Sequence, residues 1–128
     1  MRVYISGPMT GLPYSNFPAF NETARSLRSC GLDVVNPAEI NPDGAKSWSA
    51  YMRADIAALV TCDAIALMPG WENSNGAHLE LHIAHRLAMH VTTPQRLLAE
   101  YASKLVRKDV IDDGEPLAFP TIFGDLAA

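Results

Sequence analysis

Apolar and polar positions along the first 92 residues follow two different periods, and the changes between them separate strands from helices. Short apolar runs predict four strands, at residues 2–6, 32–35, 63–68 and 90–92. Apolar residues at helical spacing predict four helices, at residues 17–30, 47–61, 75–89 and 97–106. After its first residue the run at 63–68 is wholly apolar, which is typical of a central parallel strand with both faces covered. Residues 109–128 follow neither period.

The alternation of strands and helices predicts parallel strands joined by right-handed crossovers. The expected fold is therefore α/β, a three-layer Rossmann-like (flavodoxin-like) domain with a mainly parallel sheet of four to five strands. In such sheets ligands bind outside the carboxyl ends of the strands. Here those ends are the loops at residues 7–14, 36–46 and 69–76.

Composition narrows the class of protein. The chain has 128 residues, 48% of them hydrophobic and 19% charged, which fits one globular domain. The net charge of −4 argues against a nucleic-acid polymer as partner, because binding its backbone needs a basic surface. No apolar stretch reaches the length of about 18 residues that a membrane helix needs, and no leader pattern stands at the N-terminus. We expect a cytoplasmic protein that does not bind membranes, with Cys30 and Cys62 as buried free thiols.

Two acidic residues stand on the inward faces of predicted helices, where a charged side chain is unusual. Glu80 lies near the start of the helix at 75–89, on its inward side, where the helix dipole is expected to keep it ionised. It is a candidate nucleophile or base, or alternatively a glutamate that only stabilises its helix. Asp55 lies on the apolar stripe of the helix at 47–61, where burial would favour the protonated form that a general acid needs. The alternative for Asp55 is a hydrogen-bonded tie to a neighbouring loop, and Asp63 is expected to position the turn before its strand.

The first strand and the loop after it carry further candidates. Tyr4 points to the opposite face from Val3 and Ile5, so its hydroxyl either lies in the core or orients a carboxylate. Gly7 and Gly11 bracket a loop short enough to bring backbone N–H groups to a phosphate or sugar. The loop matches neither the dinucleotide-binding GxGxxG pattern nor a P-loop.

Histidines and tryptophans give weaker signals. His78, His82 and His85 follow one stripe of the helix at 75–89, and two histidines at such spacing can chelate zinc. The stripe is the only polar strip of that helix and faces away from Glu80, which favours a solvated face or a subunit contact over a metal site. Trp48 and Trp71 either cover a base or cap the core.

Three fragments in this order resemble a known family. They are residues 4–11 (YISGPMTG), 52–55 (MRAD) with 62–64 (CDA), and 70–80 (GWENSNGAHLE). Together they resemble the nucleoside 2-deoxyribosyltransferase-like superfamily, and within it a branch of small proteins of undefined function labelled DUF4406. The resemblance covers residues 1–92, interpreted as one nucleoside deoxyribosyltransferase-like α/β domain. Residues 93–128 form a C-terminal helix and tail expected to pack on the same domain or on a partner subunit.

The resemblance implies a role for each residue singled out above. In the Gly-x-x-x-Glu pattern of the superfamily, matched by Gly76 and Glu80, the glutamate attacks the anomeric carbon of a nucleoside or nucleotide. An aspartate eight residues before the one that opens the third strand assists the departing base, a relation that Asp55 bears to Asp63. A first-strand tyrosine, matched by Tyr4, hydrogen-bonds the nucleophile. The implied chemistry is that of a retaining glycosidase, with no metal and no organic cofactor.

The implied substrate is a small nucleotide or nucleoside. Residues predicted to bind it are Ser6, Gly7, Pro8, Met9, Thr10, Gly11, Trp71, Ser74, Asn75 and Gly76. Ser74, six residues before the nucleophile, favours the branch that hydrolyses deoxynucleoside 5′-monophosphates and contacts phosphate through this serine. Thr10 stands where those hydrolases have a phosphate-binding arginine, so loop amides, Ser74 and Arg53 would have to compensate for that contact.

The leading hypothesis is an N-glycosidase that hydrolyses the base–sugar bond of a (deoxy)nucleoside 5′-monophosphate through a covalent glycosyl-glutamate. Three alternatives stay open: base exchange between deoxynucleosides, a module that binds or sequesters a nucleotide without turnover, and cleavage of a nicotinamide dinucleotide. Because a neighbouring subunit usually completes active sites in the superfamily, the resemblance also implies a homodimer or a higher homo-oligomer.

Overall fold

A computed structural model describes residues 1–41 and 47–113 of the protein, with side chains up to residue 103. Its four strands are β1 (Arg2–Ser6), β2 (Asp33–Val35), β3 (Ala64–Leu67) and β4 (His90–Thr92). Its five helices are α1 (Phe17–Ser29), α2 (Pro37–Ile40), α3 (Trp48–Leu59), α4 (Asn75–Arg86) and α5 (Pro94–Asp113). The strands form one parallel sheet in the order β2-β1-β3-β4, which confirms the predicted Rossmann-like α/β class.

Strand β1 shows why the sheet carries a helical layer on each face. Its side chains alternate, so Val3 and Ile5 join one core cluster while Tyr4 joins the other. The first cluster packs against α1 and α5 through residues that include Phe20, Leu27 and Leu97. The second cluster packs against α3 and α4 through Leu59 and Ala84.

Two helices differ from the sequence prediction. The loop predicted at 36–46 begins with the single turn α2, because Asn36 caps it by accepting a hydrogen bond from the backbone N–H of Ala38 and Pro37 occupies its first position. Helix α5 begins at Pro94 instead of residue 97, after Thr93, whose hydroxyl oxygen accepts from the backbone N–H of Arg96. It continues to residue 113, so the first residues of the unplaced 109–128 segment are helical. The rest of that segment lies outside the described residues.

Among the described residues, no helix has both the length and the apolar character needed to cross a membrane.

Candidate functional site

Glu80 lies at the centre of the site, on the second turn of α4 where this helix faces β1. Its side chain is buried, with only 5% of the residue exposed. The Tyr4 hydroxyl donates to Oε2 and the Ser6 hydroxyl donates to Oε1, both at 2.6 Å. The two donors are alternate residues of one strand, so they project from the same face of β1. Both carboxyl oxygens are therefore held in fixed positions.

Burial changes the charge state expected for Glu80. It raises the pKa of this carboxyl to about 7, and the negative charge of Asp55 adds to the effect. The hydrogen bonds from Ser6 and Tyr4 act in the opposite direction but do not cancel it. The expectation that the helix dipole keeps Glu80 ionised is therefore wrong near neutral pH, because desolvation is the larger influence. Burial likewise raises the pKa of Tyr4, and the neighbouring Glu80 raises it further, so the phenol stays a donor.

Asp55 is the second buried carboxyl, with 6% of the residue exposed on the inner face of α3. Its Oδ1 accepts a hydrogen bond of 2.7 Å from Nδ2 of Asn41, the residue that ends α2. Asp55 thus both ties a loop, as the structural interpretation proposed, and lines the same cleft as Glu80.

The cleft has a volume of about 570 Å³, within the range of small-molecule sites. It opens at the carboxyl end of β1, where the chain crosses to β2 on one side and to β3 on the other; this is the switch point at which doubly wound sheets bind ligands. The three predicted catalytic residues Tyr4, Asp55 and Glu80 all line it. Of the predicted substrate-binding residues, it is lined by Ser6, Gly7, Pro8, Met9, Thr10, Ser74, Asn75 and Gly76.

Gly11 and Trp71 are not among the residues that line the cleft. Gly11 has φ of +80° and serves the turn after the loop, since this left-handed conformation suits glycine. Trp71 packs against the second core cluster, with its ring 5.2 Å from that of His78. Trp48, by contrast, lines the cleft and is 52% exposed. Trp71 thus packs on the core and Trp48 lies at the cleft, where a role in covering a base stays a prediction.

Close packing fixes the backbone at the floor of the cleft. A Cβ on Gly7 would stand 2.9 Å from the Cβ of Met68, so only glycine fits there without a backbone shift. Ser74 caps α4, because its Oγ accepts from the backbone N–H of Ala77 at 3.1 Å. Its hydroxyl keeps a proton that it can donate to a ligand.

A strained turn forms another wall. Tyr14, Ser15 and Asn16 follow one another with φ of 53°, 54° and 59°, a conformation that costs non-glycine residues free energy. The Asn16 amide donates to the backbone oxygen of Pro8 at 2.9 Å and so fastens the turn to the first loop. Ser15 lines the cleft as a result.

Sequence reasoning missed several lining residues. These are Ser15, Phe17, Phe20, Pro37, Asn41, Tyr51, Met52, Asn73 and Ala77, while Trp48 was named only as a possible cover. The core-like periodicity of Phe17, Phe20 and Met52 gave no sign of a ligand. Asn41 lies in the loop at 36–46 that the sequence placed at the ligand-binding edge of the sheet, but nothing in the sequence singled out this residue.

Charge in the cleft has one sign. Within the described part of the chain, the lining residues include two acids and no lysine, arginine or histidine. Arg53, a possible phosphate ligand, is exposed and not among the lining residues. Arg53 was expected to help bind phosphate in place of the arginine that Thr10 replaces. In this structure it is not among the residues that could do so from the lining of the cleft.

The remaining candidates are not among the residues that line the cleft. Asp63 accepts a 2.8 Å hydrogen bond from the backbone N–H of Arg2 and so positions the turn before β3, as predicted. His78, His82 and His85 are all exposed, and no cluster of three or more metal-ligating side chains occurs among the described residues. Cys30 is a buried free thiol, as expected, and so is Cys62.

Comparison with known proteins concerns two questions, whether curated relatives exist and whether a family model matches. No curated protein matches the chain significantly. A family model described as "Domain of unknown function (DUF4406)" matches residues 1–93, which include all four strands and every residue of the cleft named above. The match ends as α5 begins and spans well over half of the 128 residues, so the chain belongs to the DUF4406 family.

Proposed function

We propose that the protein cleaves the N-glycosidic bond of a nucleoside or nucleoside 5′-monophosphate through a covalent glycosyl–Glu80 intermediate. One observation carries the proposal: two buried carboxyls, Glu80 and Asp55, line a single cleft, and Tyr4 and Ser6 hold both oxygens of Glu80. A pair of carboxyl groups across a scissile glycosidic bond is the arrangement that glycoside chemistry uses.

The first step forms the intermediate. The reactive form of the pair holds a proton on Asp55 and none on Glu80. Asp55 gives this proton to a ring nitrogen of the base, and the base leaves with the electron pair of its bond to the anomeric carbon. An oxygen of ionised Glu80 forms a bond to that carbon. Tyr4 and Ser6 hold the ionised carboxylate in position for this attack.

The second step frees the sugar. Asp55, now ionised, takes a proton from water, whose oxygen attacks the anomeric carbon as the bond to Glu80 breaks. The products are the free base and the sugar or sugar phosphate. Both carboxyls return to their starting protonation states, so the cycle consumes water alone.

A second candidate, base exchange on uncharged deoxynucleosides, is favoured by the charge of the cleft. Ser74 and the backbone N–H groups at the start of α4 support a phosphate. However, no cation lines the described cleft, and ionised Glu80 would repel a dianion. In base exchange a second base takes the place of water, which changes only the acceptor of the sugar.

The test is release of free base, followed by chromatography, from ribo- and deoxyribonucleosides and their 5′-monophosphates, with and without a second base. We expect base release by the wild-type protein and a loss of at least ~10³-fold in Glu80→Ala. Glu72→Ala is the matched control, because Glu72 is exposed on the loop before α4 and is not among the lining residues. Mass spectrometry of the intact wild-type protein during turnover should show the added mass of the sugar bound to Glu80.

Asp55 has a separate test within the same assay. An N7-methylated purine nucleoside carries a positive base that leaves without protonation. We therefore expect Asp55→Asn to lose base release from ordinary purine substrates. From the methylated one it should still release about one equivalent of base per protein and then accumulate the glycosyl-protein, because water attack in the second step also needs ionised Asp55. No base release from any member of the panel would contradict the proposal, and tight binding without turnover would assign the cleft to a binding module.

A further inference from the structure

The cleft contains a polar atom that nothing in the described structure satisfies. Asn41 is 3% exposed and lines the cleft, yet its side-chain oxygen Oδ1 has no hydrogen-bond partner among the described residues. Buried polar atoms in proteins are almost always paired, because an unpaired one gives up its hydrogen bonds to water without replacement. A buried, unpaired acceptor on a residue that lines the cleft is therefore available to a donor group on the ligand.

The hydrogen bond from the side-chain nitrogen of Asn41 to Asp55 fixes the orientation of the Asn41 carboxamide group. Nδ2 donates to Oδ1 of Asp55 at 2.7 Å. An ionised carboxylate only accepts hydrogen bonds, so the carboxamide must present its N–H to Asp55 and its oxygen elsewhere. The backbone N–H of Asn41 donates to the oxygen of Pro37, which fixes the main chain of this residue at the end of α2.

The same hydrogen bond places the proton of Asp55. When Asp55 is protonated, Oδ1 still accepts from Asn41, so the acidic proton resides on Oδ2. The pair then offers a donor, Oδ2–H of Asp55, and next to it an acceptor, Oδ1 of Asn41. The complementary edge of a base has a ring nitrogen that accepts and a neighbouring amino group that donates. Adenine has this pattern at N7 and its 6-amino group.

We propose that Asn41 selects an amino-bearing base, of the adenine or cytosine type, by accepting a hydrogen bond from the amino group beside the ring nitrogen that Asp55 protonates. This inference rests on the proposed function for the role of Asp55 and adds the identity of the base. A 6-oxo purine, such as hypoxanthine or guanine, would place a carbonyl oxygen against Oδ1 of Asn41. Two acceptors would then face each other and leave the Asn41 oxygen unpaired, which rejects that base.

Deoxyadenosine and deoxyinosine make the sharpest comparison, because along the N7 edge of the base they differ only in having an amino or an oxo group at C6. We expect wild-type kcat/KM for base release to favour deoxyadenosine by at least ~10-fold. In Asn41→Leu, which keeps the size of the side chain and removes its polar atoms, this ratio should fall to within about 2-fold of unity. A purely structural role for Asn41 would lower both rates and leave their ratio unchanged.

Asn36→Leu is the matched control. Asn36 is a buried asparagine at the other end of α2, it is 2% exposed, and it is not among the lining residues. Both of its polar atoms are paired, with Ala38 and Asn21. The variant should be less stable than the wild type but should keep the wild-type preference for deoxyadenosine.

Binding of the free bases separates this inference from the proposed function. We expect calorimetry to give tighter binding of adenine than of hypoxanthine by the wild-type protein, and equal binding by Asn41→Leu. Selective binding without base release would overturn the proposed function and uphold the role of Asn41. Equal binding of the two bases by the wild type, binding of neither, or a preference that persists in Asn41→Leu would overturn the inference.

Discussion

At the scale of single residues, the charge of Glu80 is set by a competition. Two hydrogen bonds of 2.6 Å, from Tyr4 and Ser6, favour the ionised carboxylate. Burial and the neighbouring charge of Asp55 favour the neutral acid, and they win, because the pKa of Glu80 lies at about 7. A carboxyl with this pKa can change charge near neutral pH, whereas an ordinary surface glutamate stays ionised there.

This pKa makes stability depend on pH in a definite direction. Between the ordinary value of 4.5 and about 7, the folded protein holds a proton on Glu80 that the unfolded chain has lost. The folded state is therefore favoured at the acid end, and its advantage disappears as pH rises through 7. Glu80→Gln keeps the neutral form, so its free energy of unfolding relative to wild type should grow by up to roughly 3 kcal/mol between pH 4.5 and 8.

Urea denaturation of both proteins across this pH range measures the difference. Glu39→Gln is the control, since the hydrogen bond from Arg28 lowers the pKa of Glu39, and its contribution to stability is already present above pH 4.5. It should show no growing advantage over wild type as pH rises. Parallel pH curves for Glu80→Gln and wild type would contradict the assignment of a raised pKa.

At the scale of elements, helix caps place the site residues. Ser74 caps α4 and Ser47 caps α3, each through an Oγ that accepts a backbone N–H, from Ala77 and Ala50 respectively. The two caps are chemically alike, but Ser74 lines the cleft and Ser47 is exposed and not among the lining residues. The pair therefore separates the structural contribution of a cap from a contact with ligand.

We expect Ser74→Ala and Ser47→Ala each to lower the free energy of unfolding by about 1 kcal/mol, because each removes one N-cap hydrogen bond. Ser74→Ala alone should also lower kcat/KM for base release, by about 10-fold, since it removes a donor from the cleft. Thermal denaturation and the base-release assay give the two quantities. Equal activity losses in the two variants would show that Ser74 acts only as a cap.

At the scale of the whole molecule, α5 completes the domain although it lies beyond the family match. Leu97 on α5 is fully buried in the core cluster shared with α1, and Ala102 is 1% exposed. The start of α5 thus packs in the same core as α1, while the packing expected for residues 93–128 as a whole stays a prediction. Residues 114–128 lie outside the described part of the chain.

We expect Leu97→Ala to lower the free energy of unfolding by roughly 2–5 kcal/mol, because it opens a cavity in the core. Leu87→Ala is the matched control at a position that is 55% exposed, and it should change stability by less than about 0.5 kcal/mol. Chemical denaturation of the two variants measures both effects. Similar small effects would indicate that α5 contributes little to the fold.

The amino-acid sequence alone determined the architecture and the main chemical groups. The spacing of hydrophobic residues along the sequence indicates which face of a strand or helix is buried. Strands β1 and β4 and the face of α3 that carries Asp55 could therefore be predicted from residues close in sequence. Strand–helix alternation allows one handedness of crossover, which placed the ligand loops at one edge of the sheet. Tyr4, Asp55 and Glu80 became candidates because of their positions within these patterns; the structure places all three in one cleft, and their catalytic roles stay predictions.

Only the tertiary structure decided how those groups act on one another. The partnership of Asn41 with Asp55, the donation from Ser6 to Glu80 and the separate positions of Trp48 and Trp71 each join elements distant in sequence. The charge of Glu80 was predicted wrongly because the helix dipole is a local property, whereas desolvation is the combined effect of all the elements packed around the carboxyl. The distances between elements, and the burial of the side chains they enclose, depend on strand order and on helix packing. The local spacing of hydrophobic residues does not encode either.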